Sequence, residues 1–123
     1  MKKAATIILN RNLPEPTNRL VEHLNEFDSK HTDVFVVEAG SDEALLSQYS
    51  TWHVNTKEVQ KHGLRYSRGM NYGLLELWKD NKWEDYSAFF LLTNDTELSN
   101  RETVKTLLLL LDEHPNAGII SPC

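Results

Sequence analysis

Three short and almost uninterrupted apolar runs punctuate the chain, at 4–9 (AATIIL), 34–37 (VFVV) and 87–92 (SAFFLL). None alternates apolar with polar residues, so each reads as a strand covered on both faces rather than one face of an open sheet. The stretches between them carry helical spacing. Leu20, Val21, Leu24 and Phe27 share one helix face, with Pro14 and Pro16 placed where a helix begins. Gly40-Ser41-Asp42 reads as a turn and cap, followed by a helix to about Gln48. A short strand is expected at 51–55, then a polar, basic loop at 56–65. Met70, Leu74, Leu77 and Trp78 put one apolar face on a helix over 67–79. Ser99 and Glu102 have the spacing of a capping box, and the helix they open runs to about Glu113 before Pro115. Its five consecutive leucines, Leu107 to Leu111, are apolar almost all round and call for cover on both sides. A last strand is expected from about Ala117.

Strands separated by helices in this order predict a mostly parallel sheet with helices on both faces, a three-layer α/β/α Rossmann-like architecture. At 123 residues this is one domain, and no repeat or linker divides it. The formal net charge of -5 argues against non-specific attraction to nucleic acid. The single cysteine, Cys123, allows no internal disulfide, which suits a reducing compartment. No run approaches the roughly 18 apolar residues of a membrane span, and the start, MKKAATIILN, breaks too early for a signal peptide. A cytoplasmic location is expected.

In such sheets ligands bind beyond the carboxyl ends of the strands, and there the sequence places its polar punctuation. The third apolar run ends on Thr93-Asn94-Asp95-Thr96. Asp95 suits a half-site for Mg²⁺ or Mn²⁺, ions that take one or two protein carboxylates plus diphosphate oxygens and water; it equally suits a turn capped through its own backbone. Glu38 ends the second run, where a carboxylate can accept from a nucleotide's base or ribose or simply occupy a tight turn. Gly40 and Ser41 just beyond give room to turn and a cap. Arg65, Arg68 and Asn71 sit at a helix start that can hold phosphate or form a solvated basic end. Gly69 and Gly73, four apart, would let that helix pack closely. The five histidines are scattered, and there is no GxGxxG, P-loop or GxSxG pattern.

In order along nearly the whole chain, ATIILNRN, VFVVEAGSDE, RYSRGMNYGLLEL, FFLLTNDTEL and HPNAGIISP resemble the N-terminal, nucleotide-sugar-binding half of an inverting family 2 glycosyltransferase with the GT-A fold. The resemblance implies roles. Asn10, Arg11 and Asn12 fall on the loop beside the base, Glu38 on the carboxylate that contacts the nucleoside, and Gly40 on the turn after it. Arg68 and Asn71 fall near the diphosphate. Thr93, Asn94 and Asp95 fall on the D-x-D motif, with Asp95 as its metal-binding member. Thr93 stands where the first Asp is usual, so metal binding would rest on Asp95 and the diphosphate. The implied donor is a nucleotide-diphosphate sugar bound with Mn²⁺ or Mg²⁺, and the implied acceptor a glycan or lipid-linked sugar. The family's second half carries the acceptor site and the catalytic base. A truncated domain is therefore expected, inactive by itself and able to self-associate through an open sheet edge. The alternative is a non-catalytic nucleotide- or protein-binding module derived from this fold.

Overall fold

A computed structural model describes residues 2–99 and 101–121. The four strands β1 (Lys3–Asn10), β2 (Thr32–Ala39), β3 (Trp52–Val54) and β4 (Tyr86–Thr93) form one sheet, parallel throughout, in the order β3-β2-β1-β4. Between them run the helices α1 (Pro14–Phe27), α2 (Lys57–His62) and α3 (Tyr66–Lys79), and α4 (Thr103–Glu113) follows β4. The expected α/β class is the one observed, with helices on both faces. On one face Leu20, Val21 and Leu24 of α1 and Val104 and Leu108 of α4 cover Ala4, Ile8, Val36 and Leu92. On the other, Met70 and Leu77 of α3 cover Ala5, Ile7 and Val37. The alternation of odd and even strand residues between these two cores is the period of two that a strand imposes.

The two helical glycines account for how closely α3 lies on β1. A Cβ at Gly69 would fall 2.5 Å from a Leu9 methyl, and one at Gly73 3.0 Å from Ile7. Seating the helix at this depth brings its first turn over the carboxyl end of β1. β2 and β3 lie on one side of β1 and β4 on the other, so the strand order reverses at the β1/β4 boundary.

Several local expectations fail for identifiable reasons. Residues 43–45 make a single 3₁₀ turn rather than a helix to Gln48. Ser47 N–H and Ser50 Oγ are drawn instead to Glu38, which competes with helical pairing. The 56–65 segment is not all loop. α2 is capped by Thr56 Oγ1, which accepts from Val59 N–H at 3.3 Å, and ends at Gly63 with φ 72°. α4 is capped not by Ser99 but from a distance, by the fully buried Asp28 at the end of α1. The carboxylate of Asp28 accepts from Val104 N–H at 3.0 Å and Lys105 N–H at 3.3 Å. Trp78 is 60% exposed and belongs to no core. Only Val104 and Leu108 of α4 are buried, while Leu109 and Leu110 are exposed, so the leucine run is covered on one side among the described residues. Residues 117–121 form no strand, and β4 is the sheet edge among the described residues. Cys123 lies outside them.

Candidate ligand cleft at the sheet rim

The polar residues that end β1 and β2 meet, but they meet chiefly one another. Asn10 and Glu38 are register partners on adjacent strands and both are fully buried. The Asn10 amide donates to Glu38 Oε1 at 2.7 Å and to the Leu45 carbonyl at 3.3 Å. Its oxygen accepts from Leu13 N–H and Thr17 Oγ1, both at 3.1 Å. That exhausts the four bonds an asparagine side chain can make. Glu38 Oε1 also accepts from Ser41 Oγ at 2.8 Å, and Oε2 from Ser47 N–H at 2.9 Å and Ser50 Oγ. Four donors offset the cost of burying this carboxylate and pull the 41–50 loop down over the strand ends.

The neighbouring residues serve the same assembly. Asn12 adopts the left-handed φ of 60°. Its N–H donates to Ser41 Oγ at 3.1 Å, and its side-chain oxygen accepts from Asp42 N–H at 2.8 Å. Gly40, at φ 85°, lies under α2, and a Cβ there would sit 2.2 Å from the Val59 carbonyl oxygen. The Arg11 guanidinium donates to the carbonyls of Gln60, Lys61 and His62 at 3.1–3.4 Å. It thus closes the C-terminus of α2, where carbonyls lack intrahelical partners and the dipole favours a cation.

Beyond this knot two hollows open side by side. A cleft of about 250 Å³ lies between the ends of β1 and β4, lined by Leu9, Asn10 and Arg11 on one side and Thr93 and Asn94 on the other. Leu13, Ala39, Leu64 and Tyr66 complete its walls. A larger groove of about 470 Å³ lies between α1 and the 94–98 loop, lined by Pro16, Arg19, Leu20 and His23 opposite Asn94, Asp95, Thr96, Glu97 and Leu98. Asn94 forms the partition common to both, and its amide is tied to Thr17 Oγ1 at 3.3 Å. The 93–96 turn closes through Thr96 N–H on the Thr93 carbonyl at 3.2 Å. The Thr93 hydroxyl donates to Asp95 Oδ1 at 2.5 Å, and both residues are exposed.

Of the residues singled out in the sequence, Asn10, Arg11, Thr93, Asn94 and Asp95 line these hollows. Asn12, Glu38 and Gly40 lie beneath or beside them and line neither. Arg68 and Asn71 are exposed. Gly69, Met70, Gly73 and Leu77 are the buried positions of α3, and at about 100° per residue Arg68 and Asn71 project from the other side. Arg68 instead approaches Glu58 at 3.9 Å. Tyr66 was missed although its signal was present: it stands three and four residues before Gly69 and Met70, on the same stripe, but ahead of the sheet's end. Asp95 lines the larger groove, with Glu97 two residues on, and not the β1/β4 cleft; no cluster of three His, Cys, Asp or Glu side chains occurs among the described residues. An ion here would therefore be held by Asp95 together with diphosphate oxygens and water.

Comparison with family models, with curated proteins and with solved structures returns no match for this chain.

Proposed function

We propose that the chain is a nucleotide-binding domain of the glycosyltransferase kind. It would hold a nucleotide-diphosphate sugar with a divalent ion at the β1/β4 rim and, within a full-length protein, present the sugar to an acceptor hydroxyl. One observation carries the reading: the cleft opens where the strand order reverses, beyond the carboxyl ends of β1 and β4, the position where open parallel sheets take their ligands. Tyr66, Leu13 and Leu64 give that cleft an apolar and aromatic wall suited to a base. Thr93 and Asn94 offer a hydroxyl and an amide to ribose or phosphate oxygens. Asp95, whose Oδ1 accepts from the Thr93 hydroxyl and which lines the adjoining groove, would hold the ion, and the ion would supply charge neutralisation of the leaving diphosphate. Glu38 has no part in this except as the anchor that shapes the rim.

Calorimetric titration of folded protein with uridine, guanosine and thymidine diphosphates, with and without Mn²⁺, tests the reading. Binding of one of them, strengthened by Mn²⁺, is the expected result; no binding by any overturns it. A second reading, a binding module without metal chemistry, is favoured by the short Thr93–Asp95 bond that makes the aspartate part of its own turn. It predicts nucleotide binding indifferent to Mn²⁺ and to Asp95→Asn.

A further inference from the structure

The donor reading uses the larger groove only through Asp95, since the base and ribose are assigned to the β1/β4 cleft. Its volume of about 470 Å³ lies within the roughly 300–1,000 Å³ of small-molecule sites. Arg19 gives one wall a positive charge, and Asp95 and Glu97 give the other a negative one. Arg19 and His23 stand one turn apart on α1, and Asp95 and Glu97 face them from the 94–98 loop, over a floor of Pro16, Leu20 and Leu98. These charges do not close on each other. The ion pairs among the described residues are Lys3–Asp33, Arg68–Glu58, Lys79–Glu76 and Lys105–Glu102, and Arg19 and Glu97 make no hydrogen bond there either. His23 is already engaged, its ring set edge-on to Phe27 at 4.9 Å. An exposed guanidinium and an exposed carboxylate, neither paired among the described residues, thus line one open groove.

We infer that this groove binds a hydroxyl-rich ligand bearing a single anionic group, a carboxylate or a phosphate. Arg19 takes the anion through its planar fork of donors. Glu97, an acceptor only, takes hydroxyl protons from the opposite end of the ligand. The aliphatic floor covers the C–H face of a sugar ring. This ligand chemistry does not rest on the donor reading.

The test omits nucleotide and metal, so it stands separately from the donor reading. Glucuronate, glucose 6-phosphate, glucose and inorganic phosphate are titrated into ¹⁵N-labelled protein and the amide shifts followed. The expected result is saturable shifts at 16–23 and 94–98 with glucuronate or glucose 6-phosphate, about tenfold stronger than with glucose. Which of the two binds more tightly identifies the anion's source. Arg19→Gln should weaken binding about tenfold and Arg19→Lys less, with unchanged thermal unfolding. Glu97→Gln should weaken the sugar acid but not inorganic phosphate. Equal binding of glucose and glucuronate, shifts by inorganic phosphate alone, shifts confined to other regions, or indifference to Arg19→Gln would each overturn the inference.

Discussion

Replacing Glu38 by glutamine separates an anchor from a ligand contact. The wild-type carboxylate accepts two bonds on each oxygen: Asn10 and Ser41 on Oε1, Ser47 N–H and Ser50 on Oε2. Glutamine keeps one oxygen and turns the other into a donor, so in either flip one pair of donors faces an NH₂. The relief available is uneven. Ser41 Oγ can turn to the Asn10 carbonyl and Ser50 Oγ to the Ser47 carbonyl, contacts already present at 3.3 and 2.7 Å. The Asn10 amide retains the Leu45 carbonyl, but Ser47 N–H has no second acceptor among the described residues. The amide oxygen should therefore stay on Ser47 and Ser50, leaving Asn10 and Ser41 opposed by donors. Two charge-assisted bonds at about 1.5–3 kcal/mol each, less what the Ser41 rotor recovers, give a loss of about 2–4 kcal/mol. For a chain of this size that is a fall in melting temperature of about 8–15 °C. Urea and thermal unfolding measure it, and hydrogen exchange should show the 41–50 loop opening first. Stability within about 0.5 kcal/mol of wild type, the ordinary scatter of surface changes, combined with lost nucleotide affinity, would refute this accounting and return Glu38 to the ligand.

Four other outcomes follow from the same geometry. Gly40→Ala should destabilise the fold by more than about 2 kcal/mol, because its φ of 85° is strained for alanine and the new Cβ meets the Val59 carbonyl oxygen at 2.2 Å; equilibrium unfolding shows it. Asp28→Ala should cost about 1–2 kcal/mol and speed exchange of the first α4 amides, which the present cap holds at 3.0 and 3.3 Å. Asp95→Asn, at an exposed turn, should leave stability within about 0.5 kcal/mol while abolishing the Mn²⁺-dependent part of nucleotide binding in calorimetry. Burial, and then the bond its hydroxyl donates to Asp33 at 2.8 Å, raise the Tyr86 pKa in the fold. Its contribution is therefore complete below about pH 10, where an unfolded tyrosine ionises, and is lost as pH rises further. Tyr86→Phe should flatten that alkaline fall in unfolding free energy.

The sheet was legible because a strand covered on both faces has to be apolar at consecutive positions, and runs 4–9, 34–37 and 87–92 each became the heart of a strand. The close seat of α3 was legible in Gly69 and Gly73 for an equally local reason. The aim of individual side chains was not. Glu38 follows Val36 by two residues and so shares its buried face, a fact the sequence contains. The four donors that let a carboxylate stay there come from residues up to 28 positions away, and nothing local announces them. The same long reach hid the α4 cap, Asp28, which lies 76 residues before the amide it satisfies. Ser99 and Glu102 matched a capping pattern, but a better acceptor was already fixed by the core. Arg11 shows the converse: the resemblance set it beside a nucleotide base, and in the fold its guanidinium donates to three carbonyls of α2.

The central claim is that nucleotide and ion meet at the β1/β4 rim. Paramagnetic broadening by Mn²⁺, read on the amide spectrum with and without the nucleoside diphosphate that binds in calorimetry, tests it most directly. The account predicts nucleotide-dependent loss of signals at 93–97, then at 9–13 and 64–66, with Lys79, Trp83 and Tyr86 at the far end of the sheet unaffected. Broadening centred away from Asp95, or the same with and without nucleotide, would contradict it.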